Sequence, residues 1–139
     1  MRIASFAALL AALAHCGNTT AETKSLTLDG RFEYRTDAES QSVIGDQICF
    51  FPSAKSSPLL PRWSGDQRLA WFCFSQTARA AKQLSIPLQF IPGTCGVAGT
   101  ATVEIDDYVV YASEGDGNDS AALRSVLKKS TAIPLPCEN

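Results

Sequence analysis

The sequence predicts a small, strand-rich α+β domain: a five- to six-stranded barrel or sandwich with one short helix after the third strand and a C-terminal helix. Three observations carry this. Two aromatic segments, QICFF at 47–51 and RLAWFCF at 68–74, each open on a Gly-Asp-Gln triplet and each carry one cysteine. Strand side chains alternate between faces, so Trp71 and Cys73 share one face and Phe72 and Phe74 the other. A strand apolar on both faces belongs in the middle of a domain, covered on both sides. Second, 45% hydrophobic against 19% charged residues within 139 supplies the core of one folded domain and excludes a globally disordered chain. Third, the pattern switches from alternation to helix formers only after Phe74 and again near the C-terminus.

The first residues belong to none of this. Arg2 precedes an uncharged run at 3–14 rich in Ala and Leu, the n-region and h-region of an export signal. Twelve helical residues reach about 18 Å, short of the roughly 30 Å hydrocarbon core, so the run is a leader and not a spanning helix. Leu13-Ala14-His15-Cys16-Gly17 resembles the box of bacterial lipoprotein precursors, with His15 where a small residue is usual. The resemblance implies lipid on Cys16, and hence a membrane anchor in the periplasm. Two other processing sites stay open, one after Ala14 releasing His15 and one after Ala21 releasing Glu22 as a secreted form. Residues 1–15 are then signal peptide, 16–24 a polar tether too poor in apolar residues to fold, and 25–139 one globular domain.

Within that domain the first strand is 25–35, where Leu26, Leu28, Phe32 and Tyr34 alternate with charged and polar residues. Gly30 takes an inward place, the mark of a bulge or sharp bend. A polar link at 36–42 and a turn at Gly45-Asp46 lead to the second strand. Between the aromatic strands, residues 52–66 hold three prolines and four serines, too long and too rich in turn formers for regular structure. Leu59, Leu60 and Trp63, with Arg62 beside them, are apolar for a loop. They either fold back to plug the sheet or form a partner-binding lip, Trp and Arg being the commonest interface anchors. After Phe74 a helix is expected over 78–84, then a brief apolar strand or extended link at 86–91. Residues 100–113 form either one bent strand or a hairpin turning at Asp106-Asp107. Residues 120–129 read as a helix capped by Asp119 or Ser120, with Ala122, Leu123, Val126 and Leu127 on its core face and lysines at its C-terminus. Five strands with a helix between the third and fourth is the order of an OB-like barrel.

Cys49, Cys73, Cys95 and Cys137 are an even set in an exported chain, where disulfides persist. Of the three possible pairings, Cys49 with Cys73 is favoured by their like positions in two strands, and Cys95 with Cys137 then pins the tail. A zinc site lacks both C-x-x-C spacing and histidine partners. The one histidine, His15, lies at the processing junction, so a Ser-His-Asp or Cys-His centre has no base. Glu104 and Asp106 share a strand face about 7 Å apart, the order of separation for two-carboxylate glycoside chemistry. A carbohydrate- or peptidoglycan-active enzyme using Glu104, Asp106, Asp107 or Asp116 is therefore the alternative function. Glu114, Asp116, Asn118 and Asp119 place oxygen ligands as calcium loops do, but lack the EF-hand glycine and final glutamate. Without the leader, 11 basic residues face 14 acidic ones for a net charge of −3, and no basic patch offers itself to nucleic acid. The expectation is a non-catalytic, membrane-tethered envelope domain without cofactor, binding another protein or a small ligand through Leu59, Leu60, Arg62 and Trp63, possible in class as an inhibitor or immunity protein.

Overall fold

The first strand, β1 (Leu26–Arg35), follows the predicted alternation: Leu28, Phe32 and Tyr34 are buried while Thr27, Asp29 and Arg31 face solvent. These features come from a computed structural model that describes residues 24–111 and 117–137. The leader, Cys16, Glu114 and Asp116 lie outside the described residues. At Gly30 the register with both neighbouring strands runs through without a shift, so no bulge forms. A Cβ there would sit 2.4 Å from the Phe51 carbonyl oxygen and 2.6 Å from the Phe50 ring. The glycine is an approach site for β2, and any side chain would push that strand away.

Residues read as a polar link instead contain a helix, α1 (Ala38–Ile44). The Asp37 carboxylate caps it by accepting from the Ser40 amide at 3.0 Å, and Gly45, at φ 65°, ends it by donating to the Gln41 carbonyl. None of its residues is buried. β2 (Ile48–Pro52) and β3 (Phe72–Phe74) are the aromatic strands, and they pair antiparallel with Cys49 opposite Cys73. The strand expected over 68–74 is thus only three residues long. Its first half is pulled out of the ladder by the ionic contacts of Arg68 described below. α2 (Thr77–Leu84) follows β3 as expected and buries Ala80, Ala81 and Leu84; Ser85, left-handed at φ 56°, stops it.

β4 (Gly96–Val109) settles the choice between bent strand and hairpin in favour of one strand. Register shifts against its neighbour at 102/103, 104/105 and 106/109, with Asp107 at φ 51°, supply the bend. The C-terminal helix expected over 120–129 is wrong: those residues form β5 (Asp119–Lys129). Ala121 and Leu123 are buried by alternation, whereas Leu127, assigned to a helical core face, is 57% exposed. Ala, Leu, Arg and Lys favour helix intrinsically, but β5 fills the place between β3 and β4, and pairing on two sides outweighs a propensity of a few tenths of a kcal/mol per residue. A short β6 (Ile133–Pro134) adds to Val97 and Ala98.

The result is a strand-rich α+β fold with a six-stranded mixed sheet ordered β1-β2-β3-β5-β4-β6, in which β3 and β5 run parallel. A further β1–β4 pairing closes β1, β2, β3, β5 and β4 into a ring. Phe32, Phe50, Phe72 and Phe74 fill its interior together with Leu28, Val103 and Ile105. Cys49 is bonded to Cys73 and Cys95 to Cys137, the favoured pairing.

Candidate functional site

The loop between β2 and β3 is anchored before it is free. Ser53 donates its amide to the Asp29 carbonyl at 2.8 Å, and the buried Ser56 hydroxyl accepts from the Asp29 amide at 2.8 Å. Those bonds occupy the edge of β1 that β2 leaves open beyond Pro52. A 3-10 turn at Ser57–Leu59, started by Pro58, then splits two leucines. Leu60 enters the core at 4% exposure and Leu59 stays outside at 54%. The residues of this loop therefore part company: Leu60 folds back into the core, and Leu59 and Trp63 are left exposed.

Trp63 is 41% exposed, and its position is set by charge. Gly65, at φ 83°, reverses the chain so that the Asp66 amide donates to the Trp63 carbonyl. The Asp66 carboxylate, almost wholly covered, accepts from Arg62 at 3.1 Å and from Arg68 Nε and Nη2 at 3.0 and 2.8 Å. The bidentate Arg68 bond is the strong form of such a contact, and it holds the Asp66 carboxyl well below the usual carboxylate range. Arg68 in turn lies over the Trp63 ring, 4.9 Å from its centroid.

The same guanidinium reaches across the sheet. Arg68 Nη2 is 3.4 Å from Asp119, a carboxylate only 3% exposed at the start of β5. Asp119 also accepts from the Tyr108 hydroxyl at 2.6 Å and from the Tyr111 amide at 2.8 Å. One continuous chain, Arg62, Asp66, Arg68, Asp119 and Tyr108, thus ties the β2–β3 loop to the bent end of β4. Its two guanidiniums balance its two carboxylates. Leu69, 87% exposed, projects beside Arg68. Chemically this is a fixed aromatic and cationic surface with an aliphatic flank. It is suited to recognition, since the side chains that would make contact are already ordered.

The remaining candidates fall elsewhere. Glu104 accepts from the Ser125 hydroxyl at 2.5 Å and Asp106 lies 3.6 Å from Arg124, so both are engaged with β5 side chains and not with this hub. Asp107 is the left-handed residue of the bend. Of the calcium candidates, Glu114 and Asp116 lie outside the described residues, and the Asp119 carboxylate is committed to Tyr108, Tyr111 and Arg68. Asn118 donates its side-chain amide to the Asp119 carbonyl. Among the described residues, no group of three or more His, Cys, Asp or Glu is arranged to hold a metal ion, and no helix is long and apolar enough to cross a membrane. Sequence reasoning missed Arg68, which it spent on opening a strand, and Asp119, which it read as a helix cap. The D-x-R spacing of Asp66 and Arg68 next to Trp63 was the available signal.

Two tyrosines give this framework a pH signature. Burial, then the hydrogen bond to Asp46 at 2.6 Å, pushes the Tyr34 hydroxyl up to about 12. Burial and Asp119 raise Tyr108 further still. Between the free value of about 10 and these raised values the folded chain keeps protons that the unfolded chain releases. The stability these two tyrosines contribute is therefore fully present below pH about 10 and declines as pH rises toward 12 and beyond. Phenolate absorbance of the native protein should show both groups titrating late and together with unfolding. Ionisation of Tyr34 and Tyr108 at about 10 in a still-folded chain would contradict the contacts.

No protein-family model, curated protein or solved structure matches this chain.

Proposed function

We propose that this chain is a non-catalytic binding domain of the bacterial cell envelope, exported by its leader, tethered to the membrane through lipid on Cys16, and engaging another envelope protein through the lip formed by Leu59, Arg62, Trp63, Arg68 and Leu69. The observation that carries the reading is the exposed Trp63 ring held under a guanidinium that is itself locked by Asp66 and Asp119. An indole left in water costs free energy, and here three ionic contacts are spent keeping it presented. Binding through it orders little that is not already ordered. Two disulfides in a chain with an export leader and a polar tether support the periplasmic address. The five-strand ring with α2 after the third strand supports an OB-like scaffold, a fold that carries binding sites of many kinds.

Photo-crosslinking from position 59 in intact envelopes tests this. A single crosslinked species that disappears with Trp63→Ala is expected. The variant itself should lose only about 0.5–1 kcal/mol of stability, the worth of a half-exposed cation–π contact. Identical crosslinking by wild type and Trp63→Ala would reject the lip, and an intact mass without lipid on Cys16 would reject the tether.

A further inference from the structure

The outer face of β1, β2 and β3 carries a second constellation, separate from the Trp63 lip. The strand register sets Arg31 opposite Phe51, Glu33 opposite Cys49, and Cys49 opposite Cys73. One step before β3, Trp71 stacks against Phe51 with centroids 5.9 Å apart and planes within 14°, an offset, near-parallel pair. The helix α1, none of whose residues is buried, stands off from this face and turns Ile44 and Ser40 toward it. Between them is an open concavity of about 250 Å3, with Cys49 lining it and the aromatic pair as one wall.

We propose that this concavity binds one small, neutral aromatic molecule. Size is the first reason. An apolar cavity of about 150 Å3 takes a benzene ring, so about 250 Å3 has room for one substituted ring or one fused pair. Lining is the second: Phe51 and Trp71 both line the concavity and offer aromatic contact to a third ring, and the neighbouring disulfide offers sulfur–aromatic contact. Charge is the third. Both charged residues of the rim already have partners, Glu33 with Arg31 and Arg35 with Asp37, the latter at 3.0 Å. An ionic ligand would compete with an ion pair already made, whereas a neutral ring displaces only water. Finally, β2 is hydrogen-bonded to β1 along its length and to β3 at Cys49 and Phe50, which leaves little free edge beneath the concavity to register a peptide main chain.

Titration of the 15N-labelled, disulfide-bonded protein with p-cresol tests the proposal. Saturable shifts are expected at the Trp71 indole N–H and the Ser40 and Ile44 amides, with the Trp63 indole unmoved and a Kd on the order of 1 mM. Trp71→Ala should weaken binding at least tenfold. Ile44→Lys, on a helix that buries nothing, should do so with the fold untouched. The carboxylate analogue 4-hydroxyphenylacetate should bind more weakly than p-cresol. The proposal fails if cyclohexanol gives the same shifts and affinity, if both variants bind like wild type, or if nothing saturates by about 20 mM. It fails equally if a tyrosine-containing tripeptide binds tenfold tighter than p-cresol, which would make the site a peptide pocket. Each readout is independent of Trp63, so failure here leaves the lip untouched, and the reverse holds.

Discussion

Truncating Phe72 to alanine is expected to destabilise the domain by about 3–5 kcal/mol. Phe72 is fully buried and lies where three neighbours meet: its ring centroid is 5.5 Å from Phe50, 5.5 Å from Phe74 and 5.5 Å from Tyr108. The lost transfer free energy is only part of the cost. The ring sits on a three-residue strand paired on both sides, so the surrounding backbone has little freedom to close the void. Against a typical total of about 5–15 kcal/mol, that is about a fifth of the stability or more. The effect also has a direction. Tyr108 packs edge-on against Phe72 and donates to Asp119, so loosening it releases the carboxylate that braces Arg68. Urea unfolding should give the large loss for Phe72→Ala and under about 1.5 kcal/mol for Phe51→Ala, whose partner is a ring on the outer face. Equal losses would mean that the core does not lie where the alternation puts it.

What could be read in the chain, and what could not, divides along the same physical line. β1, β2 and β3 were legible because burying one face imposes a period of two on residues with strong β preference. The disulfide between Cys49 and Cys73, favoured by their like positions in the two aromatic strands, is formed. β5 was misread because ALRSVLKK satisfies a helical face as well as a strand face, and what decides between them is the slot between β3 and β4, a fact of topology. α1 hid for the opposite reason: it buries nothing and so leaves no apolar period, although Asp37 and Gly45 are its cap residues. Of the site, Trp63 and Leu59 were visible as apolar residues in a loop. The Arg68–Asp119 bridge joins residues 51 positions apart, and no local pattern announces such a contact. The Phe51–Trp71 pair stood in the two segments that organised the reading, yet its stacking depends on register, which follows once Cys49 faces Cys73.

Removing the Cys49–Cys73 bond should cost more than removing Cys95–Cys137, although loop length alone predicts the reverse. In the chain-entropy model, sequence separations of 24 and 42 give about 3.5 and about 4 kcal/mol, a difference of roughly 0.5 kcal/mol in favour of the longer loop. Two structural facts overturn that order. Cys49 and Cys73 are both buried, and the β2–β3 pairing they lie in has only two residue pairs, so losing the bond also loosens the strand that carries Phe72. The second bond holds down a tail whose β6 is two exposed residues, tied through hydrogen bonds between Cys95, Gly96 and Leu135. A segment this lightly attached can detach by itself once it is uncrosslinked, leaving the five-strand ring folded. The bond then contributes to global stability no more than the docking free energy of the tail. Urea unfolding of Cys49→Ala/Cys73→Ala is therefore expected to show a loss of about 3–5 kcal/mol, and Cys95→Ala/Cys137→Ala about 1–2 kcal/mol. In the second variant, rapid hydrogen exchange should appear at the Leu135 and Cys95 amides while Phe50 and Phe72 stay protected. If the tail-bond variant instead exchanges globally, the C-terminal segment is part of the cooperative core, and the ring does not stand without it.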